Sequence, residues 1–331
     1  MTPYDQAVAK RLNEVFNSAV IDEGREVDAL RLVVLSDLHK GQRDGADDFA
    51  ACERTYLAAT EQYWQDDFEL LLLGDIEELW ENWPHEVLPH YTSVLNQERL
   101  FAETSLPRRY RRFVGNHDDL WYDSAAVQQN LAPYLAGQPV LESLRILVQE
   151  DGHPLGQLFL IHGHQGSPLN ETLAGLSAWV VRHVWRPIQR LLNIRTSTPS
   201  TNFALRQQHE LAMFNFAASR RGMVLIAGHT HHPVWQGLGL RQALEQAPGH
   251  APLTQLDPAW LGEQVQGSVA LPGSKPSYFN SGCCCYSDGS ITGLELADGE
   301  IRLVRWTATP APLRAVLFSA PLRSVFATVA S

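Results

Sequence analysis

Cysteine is scarce in this 331-residue chain, which has four, and three of them are adjacent: Cys283, Cys284 and Cys285. Adjacent cysteines bridge one another poorly and Cys52 is remote in sequence, so no disulfide framework is expected. No Cys-X-X-Cys spacing supports a separate structural metal site. Such usage points to a reducing, cytoplasmic setting. Positive charge is also short. Lys and Arg number 26 against 37 Asp and Glu, a net charge of −11, so the chain lacks a general basic footprint for nucleic acid. Nothing approaches the ~18 consecutive apolar residues of a membrane span. The opening "MTPYDQAVAKRLNEVF" carries charges where a secretory leader needs an apolar core. Fixed-period repeats are absent as well.

Hydrophobic residues make up 44% of the chain, enough for the core of a single domain spanning 1–331 and carrying insertions. An amphipathic helix is predicted over 4–17. Apolar runs come next in "ALRLVVLSDLH" (29–39), "FELLLLGDIEELW" (68–80), "RRFVGNHDDLW" (111–121), "LGQLFLIHGHQG" (155–166) and "GMVLIAGHTHH" (222–232). Continuous runs of this length suit strands buried on both faces. Helical spacing at 47–65 and near 92–112 alternates with them, which predicts an α/β fold. Residues 167–221 break the rhythm and read as a helical cap insertion. Segment 236–276, rich in Gly, Pro and Gln, reads as a long loop insertion. The turns Asp288-Gly289 and Asp298-Gly299 predict a C-terminal antiparallel meander over 278–307.

Five of these apolar runs end in polar clusters: "SDLH", "GDIEE", "GNHD", "HGH" and "GHTHH". Open α/β sheets bind ligands beyond the carboxyl ends of their strands. Aspartate, histidine and asparagine offer mixed oxygen and nitrogen donors, which suit Mn²⁺, Fe or Zn²⁺ better than Ca²⁺. In extended chain, residues i and i+2 share a face. Asp37 with His39, and His229 with His231, can therefore face one centre, while His232 points away. His162 and His164 also share a face.

The order D-X-H, G-D-X-X-E, G-N-H-D, H-G-H, G-H-T-H, spread over 37–231, resembles the calcineurin-like metallophosphoesterases. That resemblance implies a two-sheet αββα sandwich with two divalent metal ions, Mn²⁺ first among them, with Fe or Zn²⁺ as alternatives. It implies that Asp37, His39 and His231 bind one metal, that Asp75 bridges, and that Asn116, His162 and His229 bind the other. His117 would act on the phosphoryl group from outside the metal shell. The implied reaction is hydrolysis of a phosphoester or pyrophosphate bond by metal-bound hydroxide. The stretch "GDIEELWENW" lacks the G-D-X-V-D-R-G pattern of the family's protein phosphatases. "GDIEELW", "GNHD" and the helical segment after "IHGH" resemble the UDP-2,3-diacylglucosamine pyrophosphatases. That likeness implies a lipid-nucleotide diphosphate substrate under the cap and is compatible with peripheral membrane contact. This chain is longer and adds the 236–276 segment, the meander and a tail. Nuclease, cyclic-nucleotide phosphodiesterase and non-catalytic scaffold are the alternatives on the same fold, although every expected ligand is present.

Other residues have two readings each. Glu78 either orients a ligand through hydrogen bonds or is an exposed acid at a helix start, and Asp118 either steadies His117 or caps the next helix. Lys40, Gln42 and Arg43 either meet a phosphate or lie in a solvated loop. "RRYRR" (108–112) reads as a solvated face, and Cys283–Cys285 as buried strand. In the cap, Trp179, Arg182, Trp185 and Arg186 either cover a substrate or pack the bundle.

Overall fold

The computed structural model describes residues 3–104, 109–165, 203–246 and 257–331. Two seven-stranded sheets organise them. One has the order β1 (Val20–Glu26), β6 (Ser143–Glu150), β7 (His153–Ile161), β8 (Met223–Ala227), β11 (Tyr278–Asn280), β9 (Val234–Trp235), β10 (Leu238–Gly239). The other has the order β14 (Leu313–Pro321), β13 (Glu300–Thr307), β12 (Ile291–Ala297), β2 (Arg31–Leu35), β3 (Glu69–Leu73), β4 (Tyr110–Phe113), β5 (Val140–Leu141). β2 to β5 run parallel, and β12 to β14 add an antiparallel half through Val34↔Leu294 and Leu32↔Leu296.

The continuous apolar runs reflect burial on both sides. Successive side chains of a strand alternate faces. Leu32, Val34, Leu71, Leu73 and Phe113 meet Leu158, Leu160, Val224 and Ile226 between the sheets. Their neighbours Val33, Leu35, Leu70 and Leu72 face outward into a second core with the helices Glu53–Gln65 and Thr92–Ala102. Phe159, Ile161, Met223 and Leu225 face outward from the other sheet against the helices Pro3–Ser18 and Phe203–Ala218. The architecture is the expected αββα sandwich. The helix Leu322–Ala330 buries Val325, Phe326 and Val329 where β7 and β8 begin, at the end opposite the polar strand ends. Gly156 permits that docking, because a Cβ there would lie 2.3 Å from the Phe326 ring.

Several expectations are corrected. β1 and β6 were not expected. "VIDEGRE" alternates poorly, and only Asp22 and Arg25 are buried in it, held to each other by an ion pair of 2.9 Å. The helix expected near 92–112 ends at Ala102, and residues 110–113 are strand. Segment 236–276 is not a bare loop. It holds the helices Leu240–Gln246 and Pro258–Gly267, the second capped by Asp257 through the amide of Ala259. Of the predicted meander, β12 and β13 form a hairpin at Asp298-Gly299, but β11 pairs parallel to β8 in the other sheet. Asp288-Gly289 therefore lies on a crossover between sheets. Of the predicted cap, residues 167–202, including Trp179, Arg182, Trp185 and Arg186, lie outside the described residues, and 203–218 is a helix on the sandwich. Among the described residues no helix is long and apolar enough to cross a membrane.

Candidate metal centre

β2, β3, β4, β7 and β8 end at one edge of the sandwich, and the five polar clusters meet there. Asp37, His39, Asp75, Asn116, His162 and His229 are buried, while His117 and His231 are partly exposed. The donor atoms of Asp37, His39 and His231 lie within 4.8 Å of one another, and so do those of Asp75, His162 and His229. Asp75 and His39 form a further group with His117.

The backbone reaches this arrangement by a route different from the extended geometry expected for Asp37-X-His39 and His229-X-His231. The strands end at Leu35 and Ala227. Asp37, His39, Asp75, His229 and His231 all take left-handed φ values, 54°, 53°, 53°, 72° and 61°. Each such residue costs roughly 1–2 kcal/mol. Cross-loop hydrogen bonds hold them. His39 N donates to Asp75 O at 2.9 Å, His229 N to Asp37 Oδ2 at 2.9 Å and His117 N to Asp75 Oδ1 at 2.8 Å. Close approach demands glycine at Gly115, where a Cβ would lie 2.1 Å from Asp75 Oδ1.

Hydrogen bonds also set which ring nitrogens face inward. Burial opposes charge on Glu78, but His117 and His39 outweigh it and hold the carboxyl at about 2. An ionised carboxylate only accepts, so Nδ1 of His117 (2.7 Å) and Nδ1 of His39 (3.1 Å) both donate to Glu78 Oε2. Nδ1 of His162 donates to Leu73 O. The Nε2 atoms of His39 and His162 are thereby left as acceptors. His39 Nε2 faces His231 Nε2 at 3.1 Å, and His162 Nε2 faces Asp75 Oδ2 at 3.1 Å and Asn116 Oδ1 at 3.2 Å. Nε2 of His229 is buried with no hydrogen-bond partner. Lone pairs aimed at lone pairs repel unless a proton or cation lies between them. Without a cation, protons take that place: burial disfavours them, yet Asp75 and Asp37 raise His162 and His231 to about 9. The donor set therefore fits divalent cations.

Around the centre, Glu78 orients two imidazoles, and Trp80 stacks on His117 at 3.9 Å. Asp118 does not touch the His117 ring; it accepts from Ile76 N (2.9 Å) and Gly115 N (2.6 Å), which locks the β3 and β4 loops together. His164 Nε2 lies 3.4 Å from the Tyr122 hydroxyl. His232 turns towards the helix Pro258–Gly267. Arg43 pairs with Glu53 at 2.7 Å, and Gln42 is half-buried.

Lys40, read as meeting a phosphate or lying in a solvated loop, and Arg112, read as part of a solvated face, are instead fully buried. Lys40 Nζ lies 3.1 Å from Glu77 and 3.4 Å from Glu98. Arg112 pairs with Glu77 and lies 3.7 Å from Glu98. Tyr56 and Tyr110 donate to Glu98, and Trp121 to Glu77. This network, behind the loop 74–79, was missed because a basic run beside a strand resembles a surface. The other missed residues are His209, Glu210 and Asn280. Nε2 of His209 donates to Gly163 O at 2.6 Å. Asn280 Nδ2 donates to Gly228 O (2.6 Å) and Thr230 Oγ1 (3.1 Å), and Thr230 donates to Glu210. The polar turn after "YFN" was the available signal for a sixth strand end.

These buried groups carry measurable stability. Arg112→Met leaves Glu77 and Glu98 short of positive charge and should cost about 3–5 kcal/mol in urea unfolding. Burial raises Glu210 to about 7, against the pull of Thr230, Tyr278 and Arg206. A raised carboxyl pKa means the native state holds its proton longer than the unfolded chain. Stability is therefore lost as pH rises from about 4.5 to 7. Glu210→Gln removes that loss, so the variant should gain on the parent by roughly 3 kcal/mol between pH 4 and 8. Urea titrations of both proteins at the two pH values check this.

No curated protein matches the chain. Among solved structures, a conserved uncharacterized protein from Streptococcus pneumoniae TIGR4, described as a predicted phosphoesterase, is 13% identical, with 87% of this chain and 97% of that one covered and a TM-score of 0.29. Vacuolar Protein Sorting 29 from Cryptosporidium parvum is 12% identical over 88% and 98%, with a TM-score of 0.34. A single mutant of Vps29 from Entamoeba histolytica is 12% identical over 87% and 100%, with a TM-score of 0.26. Overlaps this loose carry no detail across. The family model for calcineurin-like phosphoesterases spans residues 30–233, which takes in every candidate ligand from Asp37 to His231, and the chain belongs to that family.

Proposed function

We propose that the chain is a hydrolase that cleaves a phosphoester or pyrophosphate bond at a centre of two divalent cations. The observation that supports this best is the convergence of acceptor atoms on acceptor atoms, with His162 Nε2 against Asp75 Oδ2 and Asn116 Oδ1 and a partnerless His229 Nε2. In this reading Asp37, His39 and His231 hold one cation, Asn116, His162 and His229 hold the other, and Asp75 lies between. The mixed oxygen and nitrogen set favours Mn²⁺, with Fe or Zn²⁺ as substitutes. Bound cations would supply Lewis acidity and a nucleophilic water at neutral pH.

The chain's own part is positioning and proton transfer. Glu78 and Trp80 fix the His117 ring from two sides, through a hydrogen bond at Nδ1 and a stacked indole. Nε2 is then the atom that meets the phosphoryl group or the leaving oxygen. Asp118 and Asp75 hold the loops that carry His117, through the amides of Gly115 and His117. A lipid-linked nucleotide diphosphate is the substrate class favoured by the sequence of 167–202, where "LAGLSAWVVRHVWRPIQRLLNI" combines apolar side chains with arginines. The net charge of −11 disfavours a nucleic-acid backbone as substrate.

Turnover of bis(p-nitrophenyl) phosphate, read beside metal content by mass spectrometry, tests the assignment. Activity should vanish on exhaustive chelation and return with Mn²⁺; persistence without metal overturns the proposal. Asp75→Asn should lower metal content and turnover together. His117→Ala should keep its metal while turnover falls about 10²–10⁴-fold; loss of metal from that variant would make His117 a ligand instead.

A further inference from the structure

The four cysteines fall into two pairs with different surroundings. Cys52 and Cys284 are buried against backbone carbonyls, of Tyr286 and Ser290 for the first and Thr292 for the second. Cys283 and Cys285 turn the other way, towards the Nδ1 side of His231. Sγ of Cys285 lies 3.8 Å from that nitrogen, and the donor atoms of His231, Cys283 and Cys285 all lie within 4.8 Å of one another. Cys283 is buried and Cys285 is partly exposed, so the cluster has a built inner wall and an open side.

The surrounding chain fixes this geometry. The Tyr286 hydroxyl donates to His231 O at 3.2 Å, Cys283 N donates to Thr292 Oγ1 at 3.2 Å, and Cys284 N donates to Ser36 O at 3.1 Å. Gly282 makes the turn at φ 76°, where a Cβ would lie 2.0 Å from Thr292 Oγ1.

We propose that Cys283, Cys285 and Nδ1 of His231 form a site for a thiophilic divalent cation of the Zn²⁺ class, and that filling it withdraws His231 from the neighbouring centre. Two thiolates and one imidazole nitrogen with an open fourth position are a sufficient set for such an ion. On binding, both thiols release their protons to solvent, and two sulfur–metal bonds and one nitrogen–metal bond form. A neutral imidazole has one lone pair, on one nitrogen. Its Nε2 lies 3.3 Å from Asp37 Oδ1 and 3.1 Å from His39 Nε2. Using the lone pair at Nδ1 moves the ring proton to Nε2, where it opposes a cation held by Asp37 and His39. The two sites are therefore antagonistic, and by linkage each weakens the other. The antagonism rests on the proposed role of His231 in the neighbouring centre; the thiolate site itself does not.

The test loads the full chain with Mn²⁺ under a phosphine reductant and titrates it with Cd²⁺. Absorption from thiolate-to-cadmium charge transfer reports the cysteine site, and bis(p-nitrophenyl) phosphate turnover reports the neighbouring centre. The band should saturate at stoichiometric Cd²⁺ while turnover falls in step. Cys283→Ser and Cys285→Ser should each remove one thiolate's share of the band, and Cys52→Ser should leave it whole. The double variant Cys283→Ser, Cys285→Ser should need roughly 10-fold more Cd²⁺, or beyond, for the same loss of turnover. No thiolate band in the parent overturns the site, and needs no variant to fold. A full band with turnover unchanged, or equal inhibition of the double variant, overturns the antagonism. Absence of Mn²⁺-dependent turnover in every sample refutes the proposed hydrolase instead, while the band still judges the thiolate site.

Discussion

Nε2 of His39 and Nε2 of His231 stand 3.1 Å apart, and the rest of the site exists to keep them there. Glu78 pins one ring through Nδ1, and Asp37 lies 3.3 Å from the other. Beside them Nε2 of His162, an acceptor, faces the acceptor oxygens of Asn116 and Asp75. A fold tolerates such crowding of lone pairs only where something positive resolves it. The left-handed backbone at five of the seven candidate ligands is the accompanying cost, met by amide bonds from one loop to carboxylates and carbonyls of the next.

Behind these loops lies a second electrostatic arrangement of a different kind. Lys40, Arg112, Glu77 and Glu98 are closed off from water and paired by charge with one another, and phenol and indole donors reach the carboxylates, while Nε and Nη1 of Arg112 and Oε1 of Glu77 make no hydrogen bond. Such a network adds little net stability over an apolar packing of equal volume. Its geometric effect is to fix Glu77, and so to hold the backbone between Asp75 and Glu78 at a defined distance from β4. Residues that bind nothing thus set where the candidate ligands stand.

The runs ending at Leu35, Leu73, Phe113, Ile161 and Ala227 were legible because a strand covered on both faces has no polar alternation to blur it. The clusters after them were legible because Asp, His and Asn rarely gather beyond five such runs unless they share a ligand. What sequence could not convey was the backbone. A reading based on extended chain puts Asp37 and His39 on one face for the wrong reason, since φ values of 54° and 53° achieve that outcome. β1 escaped because its buried positions are Asp22 and Arg25, polar residues made tolerable by each other. Arg112 escaped because its partners, Glu77 and Glu98, are 35 and 14 positions away along the chain. The Gly-rich stretch 236–276 concealed two helices whose stability comes from packing, as with Trp260, and not from periodicity.

The pairing of β2 with β12, through Val34 and Leu294, has a consequence for the chain as it leaves the ribosome. β2, β3 and β4 emerge early and can align in parallel. Their open edge waits for a partner roughly 260 residues further on, which at about 5–20 residues per second means tens of seconds of synthesis. Throughout that interval Leu32 and Val34 belong to a sheet with one raw margin, the kind of surface that recruits other nascent chains. The last strands and the final helix, remote from the polar edge, are thus what end the molecule's exposure to its neighbours on the polysome.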